Sequence, residues 1–296
     1  MEQQKFPNET PFICWDICAD KENSSLLLVD HYNRCVKRFS PINLFSQSVY
    51  QCPANVKPKA AHLVISSAGG PETLLIIERS EEELPSRYSI VVAVWSDDAF
   101  LETKRLTLPA LNNGEISDGV DMHVSNGDLL LISNNNANAF EVVNIGDPAN
   151  ITRNAASPLI LDFTLGKFSI GGSKGTELIA AIEMSNTQVR IMRIECAPLH
   201  LTKIYMFDVS APASNVLLVG ENLLLGVGHA ERYSHHVDCW LLADGGQDIK
   251  RVGQVLSVDR EVLINCWRAV GQKLVLYDWN HQQLDAFEYV PLFVWR

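Results

Sequence analysis

The stretch Leu26-Leu27-Leu28-Val29-Asp30-His31-Tyr32-Asn33-Arg34-Cys35-Val36-Lys37-Arg38-Phe39 decides the fold. An apolar run gives way to a polar turn and then to an alternating segment, which is the pattern of a β-hairpin. Other copies follow it. Apolar runs that seed similar units begin at Leu26, Leu74, Leu129, Leu178, Leu223 and Leu274, and subtraction puts successive seeds between about 45 and 55 residues apart. That period is typical of four-stranded propeller blades.

The expected architecture is therefore all-β, a six-bladed β-propeller of four-stranded antiparallel blades forming a single domain over residues 1–296. The blades fall at about 11–52, 60–109, 118–158, 159–209, 211–258 and 260–296. A double sandwich could use the same strands, but it would not need six similar units at one period. Three copies carry a Gly-containing turn between their first and second strands, at Ser125-Asn126-Gly127-Asp128, Gly220-Glu221-Asn222 and Gly271-Gln272-Lys273, where positive φ is required. Prolines at 53, 109, 158 and 212 fall between copies, as expected of a residue that cannot donate to a ladder. The last copy takes its fourth strand either from Leu292-Phe293-Val294-Trp295 or from the N-terminal segment around Lys5-Phe6.

Bulk properties narrow the function. The net charge of −11 argues against nucleic-acid and acidic-membrane binding, which draw on clustered Lys and Arg. The longest apolar runs, such as Ser89 to Trp95, are too short for a spanning helix, and the N-terminus has no apolar signal core. The expected location is cytoplasmic. Seven cysteines at irregular spacing read as reduced core thiols. Cys14 and Cys18, four apart on a strand, would share a face and could form a metal pair or a disulfide with Cys35 or Cys52.

The segment Asp30-His31-Tyr32-Asn33-Arg34-Cys35-Val36-Lys37-Arg38-Phe39 resembles the NHL repeat, in Asp30, Asn33, Arg34, Val36 and Phe39. The last copy retains Asp278, Leu284 and Phe287, and the third replaces the acid with Asn134. The resemblance implies a divergent NHL-like six-bladed propeller acting as a scaffold for protein or RNA partners. Asp30 and Asn33 read as turn caps rather than as a site.

Propellers bind ligands where first strands and top loops converge. The polar first-strand residues are Asp16, His62, Asp121, His123, Asn215, Asn265 and Arg268, and the candidate contacts on the top face are Tyr32, Tyr233 and Trp279. His62 and His123 could pair around a metal with Asp121 or Asp16, but no close ligand spacing supports this. His229, His235, His236 and Cys239 read as a polar hairpin loop. Propeller lactonases of the gluconolactonase and paraoxonase kind hold a channel cation with Glu, Asn and Asp. Asn215 and Asp259 lie in suitable regions here, but the matching first-strand Glu is missing. No catalytic residue, cofactor or metal is assigned. The leading expectation is a non-enzymatic scaffold for a protein or peptide partner. The alternatives are a metal-dependent hydrolase or lactonase of the six-bladed class and, third, an RNA-binding NHL-like module.

Overall fold

Strands form where apolar runs can be covered on both faces. In the computed structural model, every residue of Leu26–Asp30 is buried, and the run pairs with Cys35–Ser40 from Leu26↔Phe39 to Asp30↔Cys35. The turn between them is closed by Asp30. Its Oδ1 accepts from the Asn33 N–H (3.0 Å), its Oδ2 accepts from Asn33 Nδ2 (2.6 Å), and Lys37 Nζ lies 3.0 Å from Oδ2. Arg34 completes the turn at φ 57°. Asp30 and Asn33 are structural, as their spacing predicts.

The structure describes residues 2–4, 13–19, 25–40, 45–64, 72–81, 87–108, 120–125, 128–135, 137–172, 176–185, 187–209, 211–220, 222–229, 234–243, 246–258, 264–270, 273–278 and 283–288. Strand β1 is Glu2–Gln4. The first sheet holds β2 (Cys14–Ala19), β3 (Leu26–Asp30), β4 (Cys35–Ser40) and β5 (Phe45–Gln51), and the second holds β6 (Val56–Val64), β7 (Thr73–Ser80), β8 (Tyr88–Ser96) and β9 (Ala99–Leu108). The third holds β10 (Met122–Val124), β11 (Leu129–Asn134), β12 (Ala139–Asn144), β13 (Thr152–Arg153) and β14 (Leu159–Ile160). The fourth holds β15 (Leu165–Gly171), β16 (Leu178–Glu183), β17 (Gln188–Cys196) and β18 (Leu199–Asp208), and the fifth holds β19 (Ala213–Val219), β20 (Asn222–His229), β21 (Ser234–Ala243) and β22 (Asp248–Val258). The sixth comprises β23 (Ile264–Val270), β24 (Lys273–Asp278) and β25 (Gln283–Glu288), completed by β1. The chain is an all-β propeller of small antiparallel sheets, with no α-helix among the described residues.

Five sheets have four strands, and the third departs from the expected count. Its outer edge is split into two short strands, β13 and β14, joined through Pro158, which has no N–H for a ladder. The sixth sheet is completed by the N-terminal option, and residues 292–295 lie outside the described residues. The pairing is Glu2↔Ala286 to Gln4↔Leu284, a few residues before the expected Lys5-Phe6.

The contacts divide the chain into two compact units. The first contains the first, second and sixth sheets. One core joins Cys18, Leu27, Val29, Leu74, Ile76 and Val91 across the first and second sheets, and another joins Cys14, Ile17, Leu28, Val275 and Tyr277 across the sixth and first. The second unit contains the fourth and fifth sheets and most of the third. Its cores gather Leu131, Phe140, Phe168 and Ile179, and separately Ala180, Ile191, Val216, Leu225 and Val227.

First strands break register at one recurrent place: between Cys14 and Asp16, Pro58 and Ala60, Leu165 and Phe168, and Ala213 and Asn215. Such a bulge adds an unpaired residue and re-aims the side chains beside it. It corrects the same-face reading of Cys14 and Cys18, which sit in different cores. Cys14, Cys18, Cys35, Cys52 and Cys239 are buried free thiols, and Cys196 is exposed. The expected loop containing His235, His236 and Cys239 is also corrected. All three lie on β21, because Val237, Asp238 and Cys239 are buried in succession and the strand is covered on both faces. Gly220 takes positive φ (59°), as its turn requires, whereas Gly127 and Gly271 lie outside the described residues.

Candidate functional site

Three first strands of the first unit bring together residues far apart in sequence. On β2, the bulge at Trp15 leaves Asp16 with its Oδ1 accepting from the Ile17 N–H (2.9 Å) and its Oδ2 accepting from the Ala61 N–H on β6 (3.2 Å). Arg268 on β23 donates from Nε to the Ile17 carbonyl (2.7 Å), and one of its terminal nitrogens lies 3.5 Å from Asp16 Oδ1. The guanidinium is thus anchored on a strand backbone and set beside a carboxylate.

Burial pushes the Asp16 carboxyl up, against the pull of Arg268 and the two N–H groups, and Asp121 adds a like charge that raises it further. His62 on β6 is lowered to about 4, first by burial and then by the Arg268 charge, which keeps its imidazole neutral at pH 7. Arg268 therefore acts electrostatically on both Asp16 and His62, and Asp121 acts on Asp16.

A second layer flanks the cluster. The Trp15 ring meets both the Lys59 ammonium, 4.3 Å from its centroid, and the His31 ring, stacked at 4.6 Å. His31 Nδ1 is 3.2 Å from the Pro58 carbonyl. Lys59 is only 1% exposed. The sequence reading missed it because a lysine on a strand is ordinarily a solvated residue, and nothing local announces the bulge that turns it inward.

The remaining candidates do other work. His123, in the second unit, packs edge-on against Phe168 with centroids 4.7 Å apart. Asn215 Oδ1 accepts from the Val216 N–H (2.9 Å), repeating at its own bulge what Asp16 does with Ile17, so it is a backbone cap. Tyr32 is 56% exposed at its turn. Trp279, Tyr233 and Asp259 lie outside the described residues, as do the side chains of Asn265, His229 and His235.

The polar atoms of Asp16 are already engaged: both oxygens accept backbone N–H groups, and a fixed guanidinium stands beside them. Among the described residues, no three His, Cys, Asp or Glu side chains are grouped to hold a metal.

A separate charged group escaped the sequence reading. Glu78, 1% exposed on β7, accepts from the Tyr50 hydroxyl (2.9 Å) and from an Arg105 terminal nitrogen (2.6 Å). Arg105 also grips both oxygens of Glu102, at 3.0 and 2.7 Å. Its signal was a glutamate closing the buried run Leu74-Leu75-Ile76-Ile77, in phase with Leu74 and Ile76. Burial raises the Cys52 thiol and the Tyr50 hydroxyl, and Glu78 adds to both shifts.

No family profile matches the chain, and no curated protein matches it. Solved structures do. A periplasmic gluconolactonase from Pseudomonas aeruginosa superposes with TM-score 0.64 at 13% identity, over 96% of this chain and 83% of that one. A candidate 6-phosphogluconolactonase from Bacteroides fragilis gives TM-score 0.62 at 13% identity, over 93% and 79%. A chain of a nidogen–laminin complex gives 0.52 at 12%, over 84% and 82%. These likenesses place the chain in the class of β-propellers.

Proposed function

We propose that the first-strand cluster of the first unit is a small-molecule site and that the protein is a propeller hydrolase of the lactone class. The observation that carries this is the convergence of Arg268, His62 and Asp16 from three separate strands. Structural likeness to gluconolactonases supports it. A guanidinium held on the Ile17 carbonyl stabilises negative charge developing on a lactone carbonyl oxygen. The neutral imidazole accepts a proton as water adds to the carbonyl carbon. It returns that proton to the ring oxygen as the ring C–O bond breaks.

The two roles are filled by Arg268 and His62, and the reading expects turnover without an added cation. With chelator present, purified protein releases acid from an aldonolactone panel faster than buffer alone. Arg268→Gln lowers kcat/KM on the order of 100-fold, as loss of an oxyanion donor does elsewhere. Acid release at the uncatalysed rate across the panel would sink the reading. The same reading takes the sheets as NHL-like propeller blades, supported by the common period of the seeds and by β1 completing the last sheet. The buried free thiols support a reducing, cytoplasmic setting.

A second reading, a scaffold for a protein or peptide partner, draws support from Tyr32, a large side chain held out on an ordered turn. Under it, Tyr32→Ala weakens capture of a saturable partner, and the wild-type protein opens lactones no faster than buffer.

A further inference from the structure

The second sheet carries a cavity of about 190 Å³ lined by Val56, Glu78, Ser80, Arg87, Ser89, Arg105 and Thr107. It is separate from the first-strand cluster and shares no residue with it. Its wall is built in rows. Glu78, Ser89 and Thr107 are register partners across β7, β8 and β9, and Ser80 pairs with Val56 on one side while donating its N–H to the Arg87 carbonyl on the other (2.9 Å). Hydroxyl-bearing residues from three strands, Ser80, Ser89 and Thr107, therefore line one space.

The floor is fixed before any ligand arrives. Glu78 is buried and has both oxygens engaged, one by Tyr50 and the other by Arg105. Arg105 has five N–H donors. Three of them go to Glu78 and Glu102, which locks the guanidinium plane and leaves two donors unspent among the described residues. The charged wall residues are Glu78, Arg87 and Arg105, and Glu102, which pairs with Arg105 from outside the wall, brings the formal sum of the group to zero. Such a wall rewards oxygen acceptors and hydroxyls without favouring net charge, and Val56 offers one apolar contact.

We propose that this cavity binds a small neutral polyhydroxylated molecule, a monosaccharide or polyol. The volume, equal to about six bulk waters at roughly 30 Å³ each, suits a ligand of that size and is below the usual range for larger ones. Saturation-transfer NMR of the whole protein with glucose, glycerol and inorganic phosphate tests it, with Thr107→Val and the double variant Ser89→Ala/Thr107→Val as comparisons. The expected result is transfer to glucose or glycerol, a dissociation constant about tenfold weaker in the double variant, and a smaller loss in Thr107→Val, whose exposed position leaves folding intact. No transfer to either hydroxylated probe, equal affinity in both variants, or binding of phosphate alone would each overturn the proposal. Lactone turnover at the first-strand cluster is read separately and does not bear on it.

Discussion

Glu78→Ala lowers the free energy of unfolding by about 3 kcal/mol, read as a lower urea midpoint with unchanged slope. Glu78 is the shared acceptor for the buried Tyr50 hydroxyl and for Arg105. Removing it strands the hydroxyl inside the core and takes one of two carboxylates from the guanidinium. Arg105 keeps Glu102 and some solvent, so the cost falls at the low end of the 3–5 kcal/mol typical of breaking a buried pair. Glu78→Leu combined with Arg105→Leu and Tyr50→Phe recovers most of the loss, because apolar groups of similar size need no partner and no hydroxyl is left stranded. A Glu78→Ala midpoint equal to wild type would show that the buried carboxylate has no structural task.

Acidification from pH 6.5 to 4 destabilises the protein through His62, by up to about 3 kcal/mol. An unfolded imidazole protonates near 6.5 and the folded one only near 4, so between those values the unfolded chain binds more protons. The contribution of His62 is therefore complete above 6.5 and is lost as the pH falls through the window. Asp16 acts in the opposite sense. Its folded carboxyl protonates at a higher pH than the unfolded one, so protonation favours the native state as the pH falls. His62→Gln removes the first trend and leaves the second. Unfolding curves at successive pH values must then show the variant losing less stability than wild type over this window.

Strand placement was largely legible, and the face each side chain takes was less so. Leu26–Asp30 and Leu178–Glu183 occupy the spans their apolar runs predict. Hydrophobic runs report burial, and burial on both faces is what these strands share. A bulge leaves no such trace. One inserted residue at Trp15 separates Cys14 from Cys18 and aims Asp16 at Ala61, and another in β6 sends Lys59 onto Trp15.

Polar residues that interrupt first strands include Asp16, His62 and Arg268, which the structure relates through Arg268. The same rule over-counted Asn215, which caps a bulge, and His123, which packs on Phe168. Polarity on a strand marks a group that needs a partner, and that partner is as often the chain's own backbone as a ligand. Glu78 and Arg105 went unseen because their pairing joins β7 to β9, a distance no local pattern encodes.

The most direct measurement is an NMR titration of the His62 ring, assigned by loss of its signal in His62→Gln. A midpoint near 4 that rises in Arg268→Gln is the predicted result, because burial and the Arg268 charge together hold the imidazole neutral. A midpoint near 6.5, unmoved by Arg268→Gln, would contradict the convergence on which the proposed site rests.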